Sequence, residues 1–254
     1  MIDTSEFFVV IVDAFGNGVS SSPSNTAGQR DSAFPRVTIR DMVRQQHRLL
    51  TEKLGLSHLR AVVGISMGGM QAFEWAVSYP DFAEKIVPIV GSPRLAVYDI
   101  VLWETDIRIL EWFLDCRCQP PAAVRQGLFF LMGGPAFHAR VSPRDSLPRA
   151  QASIEAASLT VERAYDLRSQ LRAMIAHNVA APFDGSLERV ASRVRAEVFV
   201  VVGLMDHVVT PGPALEFARL LQATTLELDN DCGHQAPWCE ADVFNPAVQD
   251  FLRK

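Results

Sequence analysis

The run from Leu59 to Tyr79 most constrains what this chain can fold into: LRAVVGI passes into SMGGMQAFEWAVSY with almost nothing between them. The first part is short, apolar and rich in β-branched residues, as a buried strand is. The second part carries a helical pattern from Met67, and Pro80 follows it. Strand must therefore turn into helix within a residue or two. Gly64-x-Ser66-x-Gly68 supplies the small residues that so tight a turn needs. A side chain at position 64 or 68 is expected to collide with neighbouring elements. Such a turn lifts the serine Oγ above the C-terminal edge of the sheet, where ligands bind in open α/β folds. It also sets the N–H groups of a helix start beside the serine. A glycine–serine turn kept only for packing is the alternative.

The rest of the chain repeats the alternation. EFFVVIVD (6 to 13) reads as a buried parallel strand, and a loop dense in Gly, Ser, Asn and Pro follows it. Thr38 is an N-cap candidate for a helix whose apolar face is Ile39, Met42, Val43, Leu50 and Leu54, with Gly55 as its stop. EKIVPIVGS (84 to 92) is a third strand. From about 96 to 190 the patterns are helical, with no convincing strand. Strands return at RAEVFVVVGLMD (195 to 206) and TTLELD (224 to 229), with GPALEFARLLQ between them and a helix at the C-terminus. This predicts an α/β core, residues 1–95 and 191–254, interrupted by a helical cap at 96–190.

Composition suits one such domain. Of 254 residues, 48% are hydrophobic and 21% charged, and the net charge is −5. No Lys/Arg run offers a nucleic acid or an anionic membrane a basic patch. No apolar run reaches the length of a membrane span, and FFVVIV lacks the basic flank of a signal peptide. A cytoplasmic location is the expectation.

A serine needs a base to become a nucleophile, and the base needs an acid to orient it. In a strand–turn–helix serine site the chain order is serine, acid, histidine. Asp206 follows the strand VFVVVGL, and His234 lies in the loop after the next strand, TTLELD. His47 lies within a helix, His58 precedes a strand, and His138 and His177 belong to the cap. His207 adjoins Asp206. Asp229 and Asp231 are rival acids but stand too near His234 in the chain. The expected catalytic set is Ser66, Asp206 and His234, giving an acyl-serine intermediate, with the backbone N–H of Met67 as an oxyanion donor.

There are four cysteines. Cys116-Arg117-Cys118 is too closely spaced for a zinc knuckle. Cys232 and Cys239 flank His234, so a metal site is conceivable there. Reduced, packed thiols are the expectation, and the chemistry itself calls for no metal.

Several stretches together resemble one branch of the α/β-hydrolase superfamily, the homoserine O-acetyltransferases and their esterase-like relatives. They are AFGNGVSSSPSNT (14 to 26), FPRVTIRDMVRQQHRLL (34 to 50), AVVGISMGGMQAFEWAVSYPD (61 to 81), GSPRL (91 to 95), DHVVTPGPAL (206 to 215) and Gly233-His234. The family nucleophile, acid and base map onto Ser66, Asp206 and His234. The resemblance implies an α/β-hydrolase fold with a helical lid and a dimer through that lid. It implies acyl transfer from Ser66 either to water or to an alcohol such as homoserine, with acetyl-CoA as co-substrate. DHVVTPGPAL looks more like the hydrolytic relatives, so a small-molecule ester is the favoured substrate. No resident cofactor is implied. Arg94, just after the third strand, is a candidate for binding a substrate carboxylate.

The resemblance also raises a difficulty. Family members carry further strands ahead of the one at residue 7, and one of them usually lies between it and the serine strand. The loop after that strand supplies the second oxyanion donor. The sheet expected here is N-terminally shortened. A fragment, a minimal sheet or strand exchange with a partner chain would each account for that. The second donor would come from upstream sequence or from the GNG loop (16 to 18). A non-enzymatic relative, inactivated by the shortening and kept for binding, is the remaining alternative.

Overall fold

The structure is a computed structural model, and it describes residues 1–116, 127, 132–156 and 159–254. Arg117, Cys118 and parts of the predicted cap lie outside the described residues. Four parallel strands make one sheet in the order β1-β2-β3-β4: β1 is Leu59–Ile65, β2 Ala83–Ile89, β3 Glu197–Gly203 and β4 Thr224–Leu228. The helices in chain order are α1 (Ile39–Arg48), α2 (Met67–Ser78), α3 (Val97–Cys116), α4 (Pro135–Val141), α5 (Leu147–Ala156), α6 (Val161–Ile175), α7 (Leu187–Ala191), α8 (Gly212–Leu221), α9 (Ala236–Cys239) and α10 (Ala241–Arg253). Between β2 and β3 the described elements are all helical.

Strand alternation explains the two faces of the sheet. Val198, Val200 and Val202 of β3 pack with Phe73, Trp75 and Phe217 of α2 and α8. Phe199 and Val201 point the other way, against Phe244, Val248 and Leu252 of α10. A third cluster joins α1, α3 and α6 through Ile39, Leu110, Phe113 and Leu171. Thr38 caps α1 as expected: its Oγ1 accepts from Asp41 N at 3.1 Å, and its N–H donates to the Asp41 carboxylate at 3.0 Å. A π-turn, Leu49–Lys53, extends α1, and Gly55 stops it with φ 67°.

Residues 6–13 do not form the predicted strand. They belong to no ladder, and Phe8 and Ile11 are 83% and 89% exposed. A strand exists only where a neighbour pairs with it, and here a cavity of about 550 Å³ separates residues 6–12 from β1. Apolar composition alone could not report that gap. The segment is anchored near its start, where Arg253 pairs with Glu6 at 2.9 and 3.0 Å. β1 is accordingly an edge strand, half-buried along its whole length, despite its apolar sequence.

Candidate active site

Ser66 sits between β1 and α2 with φ 57° and ψ −117°, a backbone state that only a tight turn imposes on serine. Its N–H donates to Ile89 O at 2.9 Å, tying the turn to the end of β2, and its own carbonyl accepts from Met70 N at 3.1 Å. Gly64 is required by contact: a Cβ there would lie 1.9 Å from Gly68 O. Gly69 and Gly91 also face each other closely, since a Cβ on Gly91 would lie 2.7 Å from Gly69 Cα. Gly68 differs from expectation. A Cβ there would meet nothing within 4 Å, because Gly68 lines the cavity beside β1 rather than a packed neighbour.

Asp206 lies three residues past the end of β3 and is 4% exposed. Its Oδ1 accepts from Val208 N at 2.8 Å and Val209 N at 3.0 Å, which locks the carboxylate in its loop. Oδ2 is left to face His234 Nδ1 at 2.6 Å. His234 lies in a 3-10 turn, Gly233–Gln235, after β4, and its Nε2 stands 3.0 Å from Ser66 Oγ. A carboxylate on Nδ1 makes that nitrogen the N–H donor and leaves Nε2 free to accept from the serine hydroxyl. Three loops at the C-terminal ends of β1, β3 and β4 thus bring Ser66, Asp206 and His234 into one line. Met67 is the first residue of α2, and its N–H has no partner within the helix.

Three of the other histidines are placed elsewhere. His47 stacks on Tyr79 with ring centroids 3.9 Å apart, and His58 meets Glu84 at 3.1 Å. His177 is buried, and burial, with Arg40 nearby, pushes its imidazole down to about 3. Asp231 pairs with Arg140 at 2.7 Å rather than with His234. Arg94 is not joined to this set. Its guanidinium meets both carboxylate oxygens of Glu216 on α8, at 3.1 and 3.0 Å. In the GNG loop, Gly16 N donates to Ser21 O at 3.0 Å and Gly18 N to Ser22 Oγ at 2.8 Å. Those two N–H groups are therefore engaged within the loop.

Two features escaped sequence reading. Cys232 and Cys239 are joined in a disulfide, so they are neither reduced thiols nor metal ligands. Among the described residues no group of three or more His, Cys, Asp or Glu could hold a metal ion. The second feature is Asp99, in the first turn of α3 and fully buried. It accepts from Thr210 N at 3.1 Å, Thr210 Oγ1 at 3.0 Å and Ala96 N at 3.2 Å, so it ties α3 to the loop that carries Asp206. Burial pushes its carboxyl up, these hydrogen bonds pull it back, and nearby Asp206 adds to the rise. Its only sequence signal is an acid in a first helical turn.

Comparison with known proteins identifies the family and the fold. The model of the alpha/beta hydrolase fold family matches residues 2–115. The ethyl acetate hydrolase of Pseudomonas veronii is 44% identical over 104 residues, which cover 41% of this chain and 30% of that protein. The homoserine O-acetyltransferase of Chlorobium chlorochromatii (strain CaD3) is 30% identical over 283 residues, covering 99% of this chain and 77% of that one. Among solved structures, the acetyl esterase MekB superposes with a TM-score of 0.80 at 26% identity, over 94% of this chain and 75% of that one. The chain belongs to the α/β-hydrolase fold family. Within it, the chain falls in the branch that holds homoserine O-acetyltransferases and acetyl esterases.

Proposed function

We propose that this chain is a serine esterase acting on small acyl esters through an acyl-serine intermediate. The observation that carries this is the line from Asp206 through His234 to Ser66, at 2.6 and 3.0 Å. His234 Nε2 takes the hydroxyl proton as Ser66 Oγ attacks the ester carbonyl carbon. The oxyanion so formed is met by the Met67 N–H at the positive end of α2. Collapse expels the alkoxide, which leaves as the alcohol with the proton from His234. Water then attacks acyl-Ser66, giving its proton to His234, and the second collapse returns that proton to Ser66 and releases the acid. Asp206 holds the tautomer and balances the imidazolium charge throughout. No cofactor enters these steps.

Acyl transfer to a homoserine-like hydroxyl, with acetyl-CoA as donor, is the second reading. The likeness to the homoserine O-acetyltransferase, which runs through 99% of this chain, favours it. Both readings share the acylation half and differ in whether water or an alcohol takes the acyl group. A homodimer through the helical segment belongs to either one, supported by Val97, Tyr98, Val101 and Trp112, which α3 leaves exposed. So does a cytoplasmic location, in keeping with the finding that no described helix is long and apolar enough to cross a membrane.

The test uses short p-nitrophenyl esters with wild type and Ser66→Ala, and homoserine with acetyl-CoA monitored for free CoA. Ser66-dependent release of p-nitrophenol without homoserine-dependent CoA release supports the esterase. Homoserine-dependent CoA release turns the assignment to the transferase. Turnover in neither assay overturns both.

A further inference from the structure

The disulfide between Cys232 and Cys239 closes a ring around His234. The ring contains the 3-10 turn Gly233–Gln235 and helix α9. Outside it, Asn230 Nδ2 donates to Glu240 Oε1 at 2.7 Å, and Asn230 Oδ1 accepts from Cys232 N at 3.0 Å. The leading arm of the loop has further anchors, Gly134 N to Asp231 O at 2.9 Å and Arg140 to Asp231 at 2.7 Å. The trailing arm is bound covalently to the leading arm through the disulfide. Cys232 is buried, whereas residue 239 is exposed, so a solvent thiol approaches the bond from the Cys239 side.

We propose that Cys232 and Cys239 are positioning residues for His234: their disulfide holds the imidazole in line between Asp206 and Ser66, and a dithiol that opens it lowers turnover. This rests on reading Ser66, His234 and Asp206 as the triad. The chemistry is ordinary exchange. A reductant thiolate attacks Cys239 Sγ, forming a mixed disulfide and releasing Cys232 as a thiolate that takes up a proton. The second thiol of the reductant then attacks its own mixed sulfur, so the reductant leaves as a cyclic disulfide and Cys239 as a thiol. Two electrons and two protons pass to the protein. Intracellular disulfides, where they occur, are commonly of this responsive kind. A base displaced by a fraction of an ångström to an ångström loses its line to the nucleophile, which costs on the order of 10- to 100-fold in rate.

The test compares the intact chain before and after dithiothreitol, with alkylation and mass spectrometry reporting the thiols at 232 and 239. Kinetics use p-nitrophenyl acetate, and backbone hydrogen exchange is followed over the loop. Reduction is expected to lower kcat about 10-fold or more and leave KM within about twofold, while loop amides exchange faster. The double variant Cys232→Ala/Cys239→Ala is expected to match the reduced enzyme and to ignore dithiothreitol, which separates this pair from Cys116 and Cys118. Oxidised glutathione should restore wild type alone. Unchanged kcat and exchange with both thiols shown to be free would overturn the proposal, as would a double variant with wild-type kcat or free thiols in untreated enzyme. Absence of Ser66-dependent turnover in the oxidised enzyme defeats the esterase reading instead. The exchange data then decide the clasp alone: faster loop exchange supports it and unchanged exchange overturns it.

Discussion

Gly64 and Gly68 meet so closely that a Cβ on the first would lie 1.9 Å from the carbonyl oxygen of the second, while a Cβ on the second would meet nothing within 4 Å. The two outer glycines of one turn therefore do different jobs. Gly64→Ala forces backbone apart beneath Ser66 and is expected to cost about 3 kcal/mol in stability, together with most activity. Gly68→Ala places a methyl in the cavity beside β1 within a helix, where alanine is the better former, and is expected to stay within about 1 kcal/mol of wild type. Urea unfolding of the two variants checks the contrast. Equal costs would contradict it.

Asp206 is held by two backbone N–H groups on one oxygen and offers the other to His234. Asp206→Asn keeps the shape but presents an amide where Nδ1–H needs an acceptor. A drop in kcat of about 10³–10⁴-fold, with KM nearly unchanged, is expected. Steady-state kinetics on a p-nitrophenyl ester measures it.

That Ser66, Asp206 and His234 come together was legible because each requirement is local. The turn demands glycine at 64, and the acid and base follow the ends of successive strands in the family order. The strand expected at 6–13 was not legible, because strandedness depends on a neighbour and its own residues cannot report an empty space beside them. Gly68 was misjudged for the same reason, since its surroundings are that space. The Cys232–Cys239 bond and the reach of Asp99 to Thr210 depend on where loops meet in space. Arg94 lies just past β2, which is the second strand because residues 6–13 form none, and α8 brings Glu216 to its side chain, a contact that the strand's own sequence cannot report.

Asp106 of α3 is 7% exposed, and burial pushes its carboxyl up to about 6. The unfolded chain ionises near 3.8, so the folded state binds more protons between there and about 6. Stability therefore falls as pH rises through that window, and the loss persists above it. His177 acts in the opposite sense. Held near 3, it stays neutral in the folded state while the unfolded chain protonates below 6.5, so stability falls as pH drops. Asp106→Asn is expected to add about 2 kcal/mol at pH 8 and to uncover a steeper loss of stability on going from pH 6 to 4. Thermal unfolding across that range checks both signs.

Arg40 forks onto Glu74 at 2.6 and 3.2 Å, and the Glu74 side chain is 1% exposed. Removing the guanidinium leaves a buried carboxylate unpaired between α1 and α2. Arg40→Leu is expected to destabilise by about 3 kcal/mol, and Arg40→Leu/Glu74→Leu to recover most of that loss. A double-mutant cycle by urea unfolding measures the coupling.

In the proposed mechanism Ser66 carries the acyl group. Wild type mixed with p-nitrophenyl acetate, quenched within the first turnovers and digested, should yield an acetyl group on the peptide that contains Ser66, alongside a matching burst of p-nitrophenol. Ser66→Ala and His234→Ala should yield neither. Steady release of p-nitrophenol from Ser66→Ala at the wild-type rate, or an acetyl group found on any other residue in its place, would rule out Ser66 as the nucleophile.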